Sequence, residues 1–426
     1  MRVLWFTNTH SLASKVLKER DTGGGWIASL EKEIAKASEI ELGVAFHYGL
    51  EDEKRFEIGT TRYFSFPYYS SKGKFTRLWT RWMHRIEPDT LINYYLNIVE
   101  EFKPDIVHIF GTEQAPYGLI IPQLKVPVII HIQGNLTVIS RKLFSGLSFI
   151  DLLRYSNIRN LLLAHGLWHH NFSFLKRAKR EQKIYDHCKY FIGRTDWDRR
   201  ITKLLSAKGV YFHCDEILRS EFYQIKWMKP LNKKVVLFST IRPTIYKGLE
   251  TILETAAIIN KKQLIDFEWQ IAGITDKDEI VRIIEKKYKL KFTEQNISFK
   301  GYLNADSLIQ SLLYADCFVH PSHIENSPNS VCEAMLLGMP VIATNVGGIP
   351  SIIKDKVEGL LVQDGDPYAL GGAVIEVIKD EHYATNLGTN ARKRAMTRHD
   401  PGRIVNEVLK IYASIIPKRH YSLLTN

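Results

Sequence analysis

The chain has little cysteine and no long apolar run, and both shortages limit the kind of protein it encodes. The four cysteines, Cys188, Cys214, Cys317 and Cys332, lie in 426 residues without the C-x-x-C spacing of zinc or redox motifs. We therefore expect reduced thiols in a reducing compartment. No stretch reaches the ~18 apolar residues of a membrane-spanning helix, and the first residues lack the apolar centre of a secretory signal. The expected location is cytoplasmic.

Negative charge is scarce in one region only. Lys and Arg number 58 against 46 Asp and Glu, a net charge of +12, and residues 136–234 alone hold 20 of the basic and 8 of the acidic residues. The whole imbalance therefore lies in 99 residues. A local basic surface for an anionic partner is the prediction, and a solvated helical face without a partner is the alternative.

Short apolar runs alternate with segments of helical periodicity through both halves of the chain. Strand candidates lie at 3–7, 40–48, 105–110, 126–132 and 190–193, and then at 234–239, 267–272, 297–300, 317–320, 340–344 and 359–362. This alternation is typical of βαβ units and parallel sheets. We predict an α/β protein of two doubly wound, Rossmann-like domains facing a central cleft, where ligands of such sheets bind.

The expected boundaries follow from where the alternation stops and restarts. The N-terminal domain covers 1–215, a linker 216–233 and the C-terminal domain 234–400, and a last helix in 401–426 packs back on the N-terminal domain. Two aromatic and basic segments, 63–95 and 135–189, interrupt the first domain as inserts.

The segment 320–350 has the most informative pattern. Glu325 follows a predicted strand, and Glu333 lies one turn into the next predicted helix, with Ser327 and Pro328 suited to its N-cap and first turn. Free N–H groups at 329–331 would attract a phosphate, and carboxylates on either side would bind sugar hydroxyls. The alternative is that Glu333 only completes a capping box with Ser330.

Two further patterns suit phosphate. Arg242 and Lys247 bracket a strand-to-helix turn, where a guanidinium and an ammonium could hold a diphosphate, although each alone is more often a solvated surface cation. Three glycines at 23–25 allow close backbone approach to a ligand, although a flexible turn is their ordinary role.

Together these motifs resemble the retaining glycosyltransferases of the GT-B fold, glycosyltransferase family four (glycosyl transferases group 1). The resemblance rests on the E-x7-E pair Glu325 and Glu333, the following GMPVIATNVGGIP, and the R-x4-K turn of Arg242 and Lys247. It covers most of the chain and is strong over about 235–365. The N-terminal half matches in layout and in its glycine loop.

The resemblance implies a role for each matching residue. Arg242 and Lys247 would hold the donor diphosphate, and Glu333 and Glu325 would bind the ribose and the donor sugar. The further donor-binding residues would be Gly24, Gly25, Tyr302, Leu303, Asn329, Ser330 and Val331. No cofactor or metal is expected, because the two cations and a helix end would stabilise the leaving diphosphate. The pairs Asp196/Asp198, Asp276/Asp278 and Asp364/Asp366 are accordingly not interpreted as metal ligands.

The sequence departs from the family near the sugar. Where the family often has a histidine after the strand at 126–132, this chain has Gln133, with His131 two residues earlier. Gln133 would orient the donor because it cannot titrate. His131 is either a catalytic substitute or a histidine of the strand core. No general base is assigned, and the leaving phosphate oxygen could take the acceptor proton.

The predicted function is transfer of a hexosyl or N-acetylhexosaminyl group from a nucleotide-diphosphate sugar, with a UDP-sugar favoured over a GDP-sugar. The acceptor would be a glycan or a polyprenyl-diphosphate-linked lipid in surface polysaccharide biosynthesis, bound by the N-terminal domain. Peripheral contact of 136–234 with an anionic membrane is expected, and nucleic-acid binding is not. The alternatives are a nucleotide-sugar epimerase and a non-catalytic nucleotide-sugar-binding protein.

Overall fold

The computed structural model describes residues 1–17, 25–49, 53–67, 75, 78–79, 82–83 and 89–417. The chain forms two compact units: unit 1 comprises Met1–Thr137, Lys176–Ile217 and His399–Asn426, and unit 2 comprises Val138–Leu175 and Leu218–Arg398. None of the described helices is long and apolar enough to cross a membrane.

The assignment of Val138–Leu175 to unit 2 corrects the predicted N-terminal domain of 1–215. Leu147, Leu152 and Leu167 are buried in the same apolar cluster as Leu253 and Ile284 of unit 2. Because hydrophobic burial groups residues by contact and not by sequence order, this segment folds with the later half of the chain. The excess of positive charge in 136–234 is thereby divided between the two units.

Unit 1 is built on an eight-stranded sheet in the order β3-β4-β2-β1-β5-β6-β7-β8. All neighbours are parallel except β3 and β4. The five positions of β5 are all buried, as expected for a parallel strand covered on both faces. The strands are β1 (Arg2–Thr7), β2 (Glu41–His47), β3 (Lys54–Ile58), β4 (Thr61–Phe66), β5 (Ile106–Phe110), β6 (Val128–His131), β7 (Tyr190–Gly193) and β8 (Val210–His213).

Strands β3, β4 and β8 are absent from the prediction, and β4 includes the start of the predicted insert 63–95. About half of that insert, at 68–74, 76–77, 80–81 and 84–88, lies outside the described residues. The described helices up to the end of α8 are α1 (Ser14–Leu17), α2 (Gly25–Ile34), α3 (Asp89–Phe102), α4 (Leu136–Ile139), α5 (Phe149–Tyr155), α6 (Ile158–Leu162), α7 (Leu167–His187) and α8 (Asp196–Leu205). Among them, α5 and α6 belong to unit 2, and the boundaries between the units fall within α4 and α7.

Unit 2 contains a six-stranded, fully parallel sheet in the order β11-β10-β9-β12-β13-β14. Its strands are β9 (Val235–Thr240), β10 (Phe267–Ala272), β11 (Ile297–Gly301), β12 (Cys317–His320), β13 (Val341–Thr344) and β14 (Leu360–Val362). The later helices are α9 (Glu221–Gln224), α10 (Leu249–Lys262), α11 (Glu279–Tyr288), α12 (Ala305–Tyr314), α13 (Asn329–Leu337), α14 (Ile349–Ile352), α15 (Pro367–Lys379), α16 (Glu381–Arg398) and α17 (Pro401–Ile415). Short 3-10 turns occur at Ser11–Ala13, Tyr117–Gln123, Ser140–Lys142, Ile245–Lys247 and Thr293–Gln295.

The last helix, α17, lies on the sheet of unit 1. Its apolar residues Ile404, Val408 and Tyr412 share a buried cluster with Trp5. The Tyr412 hydroxyl accepts a hydrogen bond from Trp5 Nε1 at 3.1 Å and contacts His108 Nδ1 at 2.6 Å. The periodic apolar face of this helix therefore covers part of the unit 1 core.

Candidate functional site

The topology of unit 2 brings the two strongest sequence motifs together. Strands β9 and β12 are parallel neighbours at the centre of the sheet, so their carboxyl ends lie at one edge. The loop after β9 carries Arg242 and Lys247, and the loop after β12 carries Glu325. The carboxyl edge of such a sheet is where its ligands bind.

Glu325 is a buried carboxylate at this edge. Its Oε1 forms an ion pair with the Lys247 ammonium, accepts a hydrogen bond from Ser322 Oγ at 3.0 Å, and lies 3.1 Å from His320 Nε2. Burial alone would raise the pKa of Glu325, but the Lys247 charge and the contact with His320 hold it well below its usual value. The site therefore keeps one anion and one cation in fixed positions.

The backbone around Glu325 is also fixed. The Glu325 carbonyl accepts a hydrogen bond from Gly348 N at 2.9 Å, and a Cβ at Gly347, where φ is +52°, would lie 1.9 Å from that carbonyl oxygen. Gly248, at φ +72°, approaches the Pro321 carbonyl so closely that a Cβ would lie 2.1 Å from its oxygen. Glycine is needed at both positions because a side chain would push the two loops apart.

Helix α13 starts one residue later than the sequence suggested. Its N-cap is Pro328, not Ser327, and the proline side chain makes no capping hydrogen bond. The Pro328 carbonyl accepts from Val331 N at 3.1 Å and from Cys332 N at 3.2 Å. Asn329 and Ser330 are half-buried at its start, and Val331 is buried. The Val331 N–H is thus bonded within the first turn, and the N–H groups of Asn329 and Ser330 are the ones that could meet an anion.

Glu333 pairs with Arg219, a residue that the sequence analysis did not single out. Arg219 donates from Nε to Oε1 and from Nη2 to Oε2, each at 2.8 Å, and Glu333 is only 4% exposed. This fork-to-fork geometry orients the carboxylate. The capping-box alternative is excluded because the N-cap is Pro328, so that Ser330 lies inside the helix. Arg219 lies in the predicted linker, and no spacing rule connects it with a glutamate 114 residues later.

The remaining predicted residues of unit 2 differ in exposure. Arg242 is exposed and has no ion-pair partner within the described part of the chain, whereas Lys247 is paired with Glu325. Tyr302 is 55% exposed. Leu303 is partly buried and packs against the apolar cluster that contains Phe238 and Val331. Arg242 is therefore the more accessible of the two predicted diphosphate ligands.

A second ionic cluster lies beside Glu325 in the same loop. His323 Nε2 lies 2.6 Å from Glu250 Oε1, and Nδ1 lies 3.3 Å from Asp364 Oδ2, which also pairs with Lys142 at 3.4 Å. Burial alone would lower the pKa of His323, but Glu250 and Asp364 raise it above its ordinary value. A protonated His323 would tie the loop after β12 to helix α10.

The predicted residues of unit 1 fall into three groups. Gly24 lies outside the described residues, whereas Gly25 is the first residue of α2. Gln133 is half-buried after β6, and its carbonyl accepts from Arg194 Nη2 at 3.0 Å. His131 is fully buried, with ring centroids 4.8 Å from Trp26. Burial, and then the neighbouring His108 and Arg194, lower the pKa of His131 well below its ordinary value. The geometry favours the strand-core interpretation of His131.

Two glutamates at the carboxyl edge of the unit 1 sheet, the half-buried Glu113 and the buried Glu181, were not predicted. Glu113 follows β5, and its Oε1 accepts from Gly134 N at 2.5 Å. Glu181 accepts from Thr112 Oγ1 at 2.5 Å and from Thr137 N at 2.8 Å. Burial, together with the charge of Glu181, raises the pKa of Glu113 to about 7, and burial also raises that of Glu181. Nothing in the local spacing connects these residues.

The three D-x-D pairs have structural roles. Asp198 completes a capping box with Thr195 at the start of α8. Asp366 caps α15 by accepting from Tyr368 N and Ala369 N. Asp278 accepts from Thr275 N and Oγ1, both at 2.7 Å, directly before α11. These contacts account for one acid of each pair without a metal ion.

Part of unit 2 matches a known protein family. Residues 220–394 match the family described as Glycosyl transferases group 1, which includes Arg219's partner Glu333 and the Lys247–Glu325 pair. Over 218 residues the chain is 25% identical to the capsular polysaccharide biosynthesis glycosyltransferase CapM of Staphylococcus aureus, covering 50% of this chain and 54% of the relative.

A second relative comes from Campylobacter jejuni. Over 202 residues the chain is 27% identical to its N,N'-diacetylbacillosaminyl-diphospho-undecaprenol alpha-1,3-N-acetylgalactosaminyltransferase, covering 47% of this chain and 50% of the relative. The alignments with these two curated relatives thus span about half of each relative's length.

Solved structures resemble nearly the whole chain. Sucrose-phosphate synthase from Thermosynechococcus elongatus is similar with a TM-score of 0.73 at 16% identity, covering 97% of this chain and 98% of that one. Anabaena HepE in complex with UDP and glucose is similar with a TM-score of 0.64 at 15% identity, covering 97% and 100%. At this identity the likeness concerns the fold, and it confirms the predicted GT-B fold of two Rossmann-like domains.

Proposed function

We propose, on the premise that residues 220–394 belong to the glycosyl transferases group 1 family, that this protein is a retaining glycosyltransferase. It would move a hexosyl or N-acetylhexosaminyl group from a nucleotide-diphosphate sugar to a glycan or lipid-linked acceptor in surface polysaccharide biosynthesis. A UDP-sugar is favoured as the donor over a GDP-sugar.

The Lys247–Glu325 pair beside the uncapped start of α13 is the observation that carries the proposal. A half-buried ammonium and the first N–H groups of α13 at one edge suit a diphosphate, and the adjacent carboxylate suits sugar hydroxyls. Glu333, oriented by Arg219, would then accept hydrogen bonds from the ribose. Together these contacts would bind the diphosphate, the sugar and the ribose of a nucleotide-sugar donor.

Charge stabilisation in the reaction would come from the protein. When the bond to the anomeric carbon breaks, negative charge develops on the leaving diphosphate, and Arg242, Lys247 and the end of α13 would lie where that charge appears. We propose that the transfer needs no metal ion or cofactor. The leaving phosphate oxygen would take the acceptor proton, since neither Gln133 nor the buried, neutral His131 is placed as a base.

The activities for which the relatives are named support the choice of substrates. One is a polysaccharide biosynthesis glycosyltransferase, and another is named for transfer of an N-acetylgalactosaminyl group to a diphospho-undecaprenol-linked sugar. Anabaena HepE was solved with UDP and glucose. We therefore expect a UDP-linked donor, a glycan or polyprenyl-diphosphate acceptor, and a cytoplasmic enzyme.

The test is a donor screen without metal. The purified protein is incubated with a panel of UDP- and GDP-sugars in excess EDTA, and free nucleotide diphosphate is measured with and without glycan or lipid-linked acceptors. We expect one donor to be hydrolysed slowly and transferred faster with acceptor, and NMR of the product to show the donor's anomeric configuration.

Other outcomes contradict specific parts of the proposal. Strict dependence on a divalent ion would contradict metal independence, and an inverted product would contradict retention. Release of an epimerised nucleotide sugar would indicate an epimerase, and tight binding without turnover would indicate a binding protein. The matched site control is Glu325→Gln, which keeps the size of the side chain and removes its charge.

A further inference from the structure

The two-helix insert, defined as residues 149–163 and comprising α5 and α6, has two contrasting faces. Its inner side is fastened to unit 2: Leu152 is fully buried in the unit 2 core, and Asp151 pairs with Lys287 of α11 at 3.0 Å. Glu279, also of α11, accepts hydrogen bonds from Asn160 Nδ2 at 3.2 Å and from Leu167 N at 3.0 Å. The insert is therefore held in one orientation on its unit.

The outer side exposes large apolar side chains in an unusual concentration. Ile150, Ile158 and Leu162 are 71%, 74% and 63% exposed. Single exposed apolar residues are ordinary, but a contiguous group marks an interaction surface. The other members of the group within the same 15 residues are Phe149, Leu153 and Leu163.

Exposed cations lie among these apolar residues. Arg154 and Arg159 are exposed, and neither has an ion-pair partner among the residues that the structure describes. Segment 138–175 holds four basic residues and a single acidic one, Asp151, which is neutralised by Lys287. The outer face thus combines apolar bulk with unneutralised positive charge.

The geometry points to this insert as a docking surface for a bilayer that carries anionic lipid headgroups. Short helices with apolar side chains on one face and arginines beside them insert the apolar groups at the acyl boundary, while the cations meet the phosphates. Charge complementarity favours a membrane surface over an ordinary protein partner, because no exposed acid interrupts the face. This inference goes beyond the proposed transfer reaction and does not depend on it.

The structure also separates the insert from the cations at 176–180. Arg177 donates to the Glu113 carbonyl at 2.8 Å, and Arg180 is buried and donates to the Thr112 carbonyl at 2.8 Å. These two arginines stabilise unit 1 internally. The membrane contact expected of the whole stretch 136–234 is accordingly assigned to 149–163.

Flotation with lipid vesicles tests the assignment. The full chain is mixed with phosphatidylcholine vesicles, or with vesicles containing about 30% phosphatidylglycerol, at low and high salt. We expect binding to the anionic vesicles that weakens with salt. The triple variant Ile150→Ser/Ile158→Ser/Leu162→Ser should lose binding at least tenfold. The double variant Arg154→Gln/Arg159→Gln should lose about thirtyfold, ~1 kcal/mol for each cation.

A matched triple variant controls for general loss of apolar surface. Leu204, Met228 and Leu231 are also highly exposed but lie outside the insert, so their replacement by Ser should leave vesicle binding unchanged. Thermal unfolding and UDP binding confirm that each variant is folded. Equal binding to neutral and anionic vesicles, or unchanged binding by the insert triple, would overturn the inference. Concentration-dependent dimerisation without vesicle binding would also overturn it and would assign the face to a second copy.

Discussion

Three glutamates near the sheet edges, two in unit 2 and one in unit 1, have opposite electrostatic surroundings. In unit 2, Glu325 and Glu333 each have a cation, Lys247 and Arg219, in direct contact. In unit 1, Glu113 is not in an ion pair within the described residues, and its pKa is raised to about 7. The comparison shows that burial and sequence position alone do not decide the charge of a glutamate. An adjacent cation decides it: Glu325 and Glu333 each have one in direct contact, whereas Glu113 has none among the described residues.

This difference has a functional meaning for the proposed reaction. The cations of unit 2 are paired with carboxylates and could bind a diphosphate in their place, together with the first N–H groups of α13. Unit 2 therefore suits the charged part of a donor. Unit 1 offers buried groups that are easily neutral at its edge, which suits hydroxyl recognition.

The largest effect is expected from removing Lys247, the cation paired with the buried Glu325. Lys247→Ala leaves Glu325 buried without a counter-charge, and we expect the free energy of unfolding to fall by ~3–5 kcal/mol. Denaturant unfolding measures it, alongside loss of nucleotide-sugar binding. The double variant Lys247→Ala/Glu325→Ala should be more stable than the single one. Equal stability of both variants would show that the pair is not electrostatically coupled.

Arg219→Ala should have the next largest effect. It removes two charge-assisted hydrogen bonds from Glu333, so we expect a loss of ~1.5–3 kcal/mol in stability and weaker UDP binding by calorimetry. Arg219→Lys keeps the charge but loses the fork geometry and should recover only part of both. If Arg219→Ala binds UDP with unchanged affinity, Glu333 is not part of the donor site.

Glu113→Gln tests the raised pKa of Glu113 through the pH dependence of stability. A carboxyl group whose pKa is about 7 when folded and about 4.5 when unfolded binds more protons in the native state. Stability therefore falls as pH rises from about 4.5 through 7. The variant lacks this titration. As pH rises from 5 to 8, the melting temperature of the variant should therefore rise relative to that of the wild type. Parallel melting curves across this range would contradict the raised pKa.

Much of the fold could be predicted because the central strands are apolar on both faces. The predicted strands 190–193, 267–272 and 317–320 agree with β7, β10 and β12 residue for residue. Strand β3 was missed because its sequence KRFEI is charged and largely exposed at the sheet edge, so it lacks the apolar run that marks the others. The edges of a sheet carry a weaker signal than its centre.

The parts of the site that could not be predicted depend on contacts between distant residues. The turn and helix motifs located Lys247, Glu325 and Glu333, because each belongs to a local pattern. Arg219 and Glu113 belong to no local pattern and acquire their roles only when the chain folds. The same reason explains why 138–175 was placed in the wrong domain, since only tertiary packing shows which core its leucines join.

The smallest expected effect on stability concerns Arg242, the exposed cation of the donor site. Because it makes no ion pair in the described structure, Arg242→Ala should change the free energy of unfolding by less than ~0.5 kcal/mol. Nucleotide-diphosphate affinity should nevertheless fall about tenfold, as expected for one lost charge-assisted contact. Arg282→Ala, which removes another exposed arginine from α11, is the matched control and should change neither quantity. If the two variants bind UDP with equal affinity, the diphosphate is held by Lys247 and the end of α13 alone, and Arg242 is a solvated surface cation.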